Sequence, residues 1–351
     1  MKEEEDAVVY ASVAMMIKRW MFAALCAAWM APLSHAEGKE IRIGIIGLDT
    51  SHATAFTKVL NQGPKNPADA PRFAGLKVMA AYPKGSKDIP GSYERVPEYT
   101  EAVKKMGVEI VDSIDALLPK VDAFLLESND GKVHLEQLRP LLRTKKPVFI
   151  DKPLAASLVD CVKILNEAAA SGTPVFTSSA LRFGTNTLAV RGGSIGTVTH
   201  AETYSPAKTE PGHPDLYWYG IHGVESLFTA MGKGAVSVKR GTTADGLIEV
   251  TGEWGGGRTG VFREANTTDR KGYGGIAKSE KGEAAIGAYD GYEPLLIEIA
   301  TFFRTGKPPV SAEESLEIYA FMEAADESKR RGGEAVNIKE VLSKAKAEAA
   351  K

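Results

Sequence analysis

Two short stretches carry residues whose types and spacing could do chemistry. In IRIGIIGLDTSHATAF, residues 41–56, a β-type run ends at Gly47 and a helical pattern follows, with Ala55, Phe56, Val59 and Leu60 on one face. Strand, glycine turn and helix in that order make a cradle for a pyrophosphate, because backbone amides and the helix N-terminus supply a positive field. Read as G-x-G-x-x-G from Gly47, however, the second glycine is Asp49 and the third is His52. A carboxylate there repels the phosphate: like charges about 4 Å apart cost roughly 4 kcal/mol at an effective dielectric of about 20. Rotating Asp49 away, or using it as a helix cap, would relieve most of this, and the hydroxyls of Thr50 and Ser51 could bond a phosphate instead. The next strand ends in MAAYPKGS with no acid for ribose hydroxyls. Lys84 and Ser86 could meet a 2′-phosphate there, a slight lean toward NADP, although a plain loop lysine is the better reading. The second stretch, HPDLYWYGIHG, crowds His213, Asp215, Tyr217, Trp218 and Tyr219 ahead of His222. Sugars are held that way, by stacking and a few directed hydrogen bonds, and a hydrophobic plug between domains would use the same residues.

The elements that must position these groups alternate. Apolar strand-like runs occupy residues 41–46, 77–81, 109–111, 121–126, 148–150 and 173–177, with helix-like stretches between them. The clearest, SLVDCVKILNEAAASG, opens with Ser157 and Asp160 in capping-box spacing and stops at Gly172. Such alternation predicts a parallel sheet covered on both faces, an α/β Rossmann-like domain over residues 37–179. From about Leu181 the texture changes to TVTHAETY, AVSVKRGTT, LIEVTGEWGGGRTGVFREA and GEAAIGAY, strand-like segments with Gly-rich turns, and SAEESLEIYAFMEAADESKRRGG closes as a capped amphipathic helix. That predicts an α+β domain over residues 180–351 with an open-faced, largely antiparallel sheet.

The 351 residues, 44% hydrophobic and 25% charged, suffice for two sizeable cores. A net charge of −2 argues against nucleic acid or an anionic membrane as partner. Lys18-Arg19, the apolar WMFAALCAAWM at residues 20–30, and Ser34 and Ala36 before Glu37 read as a Sec-type signal peptide over residues 1–36. The acidic MKEEED fits poorly ahead of it, which points to a start at Met15 or Met16. The expectation is an exported, periplasmic or secreted protein with no stable membrane anchor after cleavage, and with Cys161 as its single remaining cysteine.

Taken together, IGIIGL, VDAFLLESNDGKVHLEQL, KKPVFIDKPLA, SSALRFG, GSIGTVTHAETY, YGIHGVESLFTAMG and the segment from EIATFF to GGEAV resemble the Gfo/Idh/MocA family of glucose–fructose oxidoreductases and inositol dehydrogenases, in family order from residue 41 to about 338. The resemblance implies an NAD(P)-dependent oxidoreductase acting on a sugar, polyol or related carbohydrate-like small molecule. By its motifs, Lys152 in DKP lies beside the nicotinamide, where a cation can polarise the reacting oxygen or relay its proton, and His222 is the acid/base candidate. Cofactor contacts are implied for Gly44, Gly47, Leu48, Asp49, Thr50, Ser51, His52, Asn129, Asp151 and Pro153. Substrate contacts are implied for Arg182, His213, Tyr217, Trp218, Tyr219 and Glu225. Trp218 stands where the family's motif has the aspartate that would orient His222. His134 reads equally as a first-turn helix residue. No metal ligands are read, and self-association would run through the C-terminal sheet. The alternative is a non-redox carbohydrate-binding or lyase/hydrolase-type protein whose nucleotide groove has decayed. A free nicotinamide is scarce outside the cytoplasm, so export requires a retained cofactor for the redox reading.

Overall fold

The computed structural model describes residues 40–351, so the expected signal peptide, its expected cleavage point and the alternative starts lie outside the described residues. The first sheet has six strands: β1 (Ile41–Ile46), β2 (Leu76–Tyr82), β3 (Glu109–Ile110), β4 (Ala123–Leu126), β5 (Val148–Ile150) and β6 (Val175–Thr177). Their order is β3-β2-β1-β4-β5-β6, and every pairing is parallel. β4 and β5 are short and wholly buried, as strands covered on both faces must be. The order reverses between β1 and β4, and the carboxyl ends of those strands open the crevice where doubly wound sheets bind ligands. Gly44 lies inside β1. A Cβ there would meet Val121 and Leu117 at 3.0–3.1 Å, so this glycine serves packing within the sheet and not the cofactor contact expected of it.

The second sheet holds β7 (His200–Ser205), β8 (Ala235–Thr242), β9 (Ile248–Trp254), β10 (Arg258–Glu264), β11 (Gly274–Ser279), β12 (Gly282–Ile286) and β13 (Val336–Asn337), in the order β12-β11-β7-β10-β9-β8-β13. Only β7 with β10 is parallel. Sequence reading passed over β11, whose GGIAKS opens with two glycines, and β13, which is two residues long.

Ser157 caps the helix Leu158–Ser171 by accepting the Asp160 amide at 3.0 Å, and left-handed Gly172 ends it. Helix Ala312–Arg330 is capped by Ser311 but does not close the chain, because Ile338–Ala349 follows. One face of the first sheet packs Ile43, Ile45, Phe149 and Phe176 against Phe56 and Leu60 of the helix Ser51–Gln62. The same face takes Leu296, Ile299 and Phe302 from the distant helix Glu293–Thr305. The other face runs continuously into the core of the second sheet through Leu158–Ser171 and Ala312–Arg330. Among the described residues no helix is long and apolar enough to cross a membrane, and Cys161 is a buried free thiol.

Candidate active site

The turn after β1 keeps one glycine of the fingerprint for a backbone reason. Gly47 has φ 87°, and a Cβ on it would come within 2.6 Å of the Ser128 backbone, so only glycine lets the loops after β1 and β4 approach this closely. No positive φ occurs at Asp49 or His52. Asp49 is fully buried and accepts the Asn129 amide at 3.0 Å. Its carboxylate lies against Gly85, where an added Cβ would stand 2.0 Å from Oδ2. Burial pushes Asp49 up to about 6, against the backbone N–H groups of Asn129 and Ser86. The Ser86 hydroxyl donates to Asp130 at 2.7 Å, and Asn129 Nδ2 donates to Ser92 at 3.3 Å. The segment after β2 is thereby tied across the turn to the segment after β4. Thr50, not Asp49, caps the following helix, accepting the His52 amide at 3.4 Å.

Beyond the turn lies a cavity of about 190 Å³. Lys152, two residues past β5, and His222, in the first turn of the helix Ile221–Met231, both line it. Thr50, Ser51, His52, Asn129, Trp218 and Tyr219 share its wall with four residues the sequence had not singled out: Arg95, Tyr273, Tyr289 and Tyr292. The three tyrosines come from Gly-rich loops without periodicity, so no local pattern marked them. Lys152 Nζ sits 5.5 Å from the Tyr219 ring centroid, within reach of cation–π attraction. His222 packs edge-on against Tyr219 and Tyr273, and its Nδ1 is 2.7 Å from Ser179 Oγ. That serine supplies the orienting contact which Trp218 cannot. Burial first, then Lys152 and His52, hold His222 well below the ordinary imidazole value. At neutral pH it is therefore an uncharged imidazole, and with the proton on Nδ1 facing Ser179 its Nε2 is free to accept one.

Behind the cavity three ionisable groups meet. His52 Nδ1 is 2.7 Å from Asp151 Oδ2 and 3.9 Å from Glu127 Oε2. Asp151 also accepts the Lys152 amide at 2.8 Å. Burial, then Asp151 and Asp49, push Glu127 well above the ordinary carboxylate value. Burial acts on Asp151 too, but His52 and Lys152 outweigh it and hold Asp151 down.

Several expected contacts lie elsewhere. Arg182 and Glu225 do not line the cavity: Arg182 Nε bonds Glu225 at 2.6 Å and its Nη1 bonds Glu314 at 2.7 Å, while Glu314 also takes Arg191 at 2.9 Å. Tyr217 is wholly buried against Tyr319. The segment runs through a turn into the helix Ile221–Met231, and it brings Trp218 and Tyr219 to the cavity while Tyr217 points into the core. His213 is buried 3.0 Å from Asp130. Burial raises Asp130, but His213, the Ser86 hydroxyl and the Lys132 amide prevail and hold it at about 2. Leu48 belongs to the apolar core. Asp151 and Pro153 are buried flanks of Lys152 that do not line the cavity. His134 bridges the carbonyls of Ser128 and Leu154 at 2.6 and 3.1 Å, a structural role. Lys84 and Ser86 line a separate groove of about 790 Å³, together with Lys87, Lys132, Tyr82 and Tyr93.

Residues 41–179 match the family model described as "oxidoreductase family, NAD-binding Rossmann fold". Among solved structures, a probable dehydrogenase from Thermotoga maritima is 20% identical, with a TM-score of 0.67 over 86% of this chain and 100% of that one. GenD2 of gentamicin A biosynthesis, in complex with NAD, is 14% identical, with a TM-score of 0.68 over 88% and 99%. A myo-inositol dehydrogenase from Lactobacillus casei, in complex with NAD(H) and myo-inositol, is 17% identical, with a TM-score of 0.65 over 85% and 96%. At this level of identity these likenesses establish the fold. No curated protein matches the sequence significantly.

The residues present fit a dinucleotide at its two ends. The groove beside Lys84, Lys87 and Lys132 offers cations to an adenosine phosphate, and the aromatic cavity offers room and polar groups to a nicotinamide. At the turn itself a pyrophosphate would face the buried Asp49 and the Ser86–Asp130 tie.

Proposed function

We infer that the chain, whose residues 41–179 match the NAD-binding Rossmann model of the Gfo/Idh/MocA oxidoreductases, is an enzyme of this kind that oxidises a hydroxyl of a sugar, polyol or related carbohydrate. The observation that carries this is the meeting of Lys152 and His222 on one aromatic-walled cavity at the carboxyl ends of the parallel strands. Thr50, Ser51 and Asn129 would hold NAD(P) at the turn, and the cofactor supplies the hydride acceptor. The Lys152 ammonium polarises the substrate hydroxyl, and His222 Nε2 takes its proton. Trp218, Tyr219 and Tyr273 offer faces on which a sugar ring stacks. The N-terminal segment, with its basic pair, eleven-residue apolar stretch and small residues at positions 34 and 36, supports export, which requires that the cofactor be retained.

The test is single-turnover hydride transfer on a panel of hexoses, inositols and glycosides, followed at the nicotinamide absorbance. A positioned base contributes about 10²–10⁴-fold. Lys152→Ala should abolish turnover, while His222→Ala leaves a remnant because the lysine still polarises the oxygen. Full activity in the lysine variant would sink this mechanism. Asp49 favours a second reading, a carbohydrate-binding or lyase/hydrolase-type protein on the same scaffold. Calorimetric titration with NAD and NADP separates the two. Binding that tightens in Asp49→Gly supports the redox enzyme, whereas no binding by either form leaves the second reading ahead.

A further inference from the structure

Three chain segments far apart in sequence deliver ionisable side chains to one buried point. His52 comes from the first turn after β1, Glu127 directly follows β4, and Asp151 directly follows β5. One donor atom from each lies within 4.8 Å of the other two, and none of the three residues is more than 8% exposed. Asp151 is satisfied by His52 and by the Lys152 amide. Glu127 is not: it is fully buried, and neither carboxylate oxygen has a hydrogen-bond partner. An ionised carboxylate buried without a partner costs several kcal/mol. A proton alone does not repair this, because the neutral acid still leaves a donor and an acceptor unpaired. The nearest permanent cation, Lys152, directs its ammonium toward the Tyr219 ring.

We propose that His52, Glu127 and Asp151 bind one divalent transition-metal cation beneath the floor of the cavity. One imidazole nitrogen and two carboxylates form a borderline donor set that suits Zn²⁺, Mn²⁺ or Fe²⁺. Mg²⁺ and Ca²⁺ take more ligands, all of them oxygen. Donors about 2.0–2.2 Å from a common ion stand roughly 3.3 Å apart, a spacing bracketed by the 2.7 and 3.9 Å found around His52 Nδ1. The ion would offset the charge of Glu127 and Asp151, and of Asp49 nearby, and so admit an anionic ligand to the turn. Sequence spacing gave no sign of this site, because each ligand sits alone at its own strand end. The proposal is independent of the redox reading, since the ion binds without nicotinamide.

The experiment titrates chelator-treated full-length protein with ZnCl₂, MnCl₂ and, under anaerobic conditions, FeSO₄ by calorimetry. Thermal unfolding and elemental analysis of the protein as purified accompany it. The parent should take up one equivalent of at least one of these ions and unfold at a higher temperature when loaded. His52→Ala and Glu127→Gln should each weaken binding by more than the roughly 10–100-fold that changes outside the ligand set cause. Glu127→Gln keeps the shape and removes a buried charge, so its metal-free form should be at least as stable as the parent yet gain nothing from the ion. Glu340→Gln, an exposed acid elsewhere, should bind like the parent. No stoichiometric uptake by the parent, or uptake unchanged in both ligand variants, would overturn the site.

Discussion

Two buried charge clusters in this protein differ in their balance. In one, Arg182 and Arg191 face Glu225 and Glu314, two cations against two anions joined by bonds of 2.6–2.9 Å. It lies away from the cavity and ties the helix Ile221–Met231 to Ala312–Arg330. In the other, Glu127 and Asp151 flank His52, with Asp49 acting on Glu127 and Lys152 the neighbouring cation, and oxygens of Asp49 and Glu127 are left without partners. A fold that buries charge for its own stability matches cations to anions, as the first cluster does although Arg182 Nη2 itself lacks a partner. One that leaves charge uncompensated at the carboxyl ends of its strands has kept it for something that binds there.

The largest expected effect tests the balanced cluster. Arg182→Met leaves Glu225 and Glu314 facing each other in the core and should lower unfolding free energy by about 3–5 kcal/mol in denaturant titrations. A loss under about 1 kcal/mol would break the contrast.

The next tests the unbalanced cluster and carries a pH signature. Asp49 is raised from 3.8 to about 6, so the fold prefers its protonated form. The stability this group contributes is complete below the unfolded value and is lost as pH rises through about 6. Asn imitates the protonated acid and still accepts the Asn129 amide. Asp49→Asn should therefore match the parent near pH 4 and exceed it by about 2–3 kcal/mol at pH 8. A stability gain that does not grow with pH would refute the assignment.

The smallest effect sharpens the boundary between the two kinds of charge. Arg191 belongs to the balanced cluster, but its side chain is 39% exposed. Arg191→Ala should cost only about 0.2–1 kcal/mol, because water replaces the lost partner.

Much of the scaffold was legible from residue types. Short apolar runs marked all six parallel strands, most cleanly β4 and β5, which are buried on both faces and carry no polar residue, whereas β2 and β3 include the exposed Lys77 and Glu109. Ser157 and Gly172 marked both ends of one helix through local hydrogen bonding and backbone conformation. The cavity was legible only in part. Lys152, His222, Trp218 and Tyr219 stand in short recognisable segments, whereas Tyr273, Tyr289 and Tyr292 reach the same wall from loops whose geometry no periodicity encodes. Arg182 and Glu225 looked like ligand contacts because a charge in a motif suggests chemistry. That they neutralise each other depends on a contact between segments 43 residues apart, which type and spacing do not reveal.

The helix Glu293–Thr305 has a consequence for how the chain comes to be folded. Its apolar side seals one face of a sheet whose strands all precede residue 178. Until the ribosome has released the chain past Thr305, Phe149 and Phe176 lack Phe302 and its neighbours. A nascent chain halted earlier offers that sticky surface to chaperones, and a fragment ending at residue 179 would aggregate instead of surviving as an autonomous nucleotide-binding module. The nascent sheet thus waits for the last third of the polypeptide, so the molecule matures as a whole.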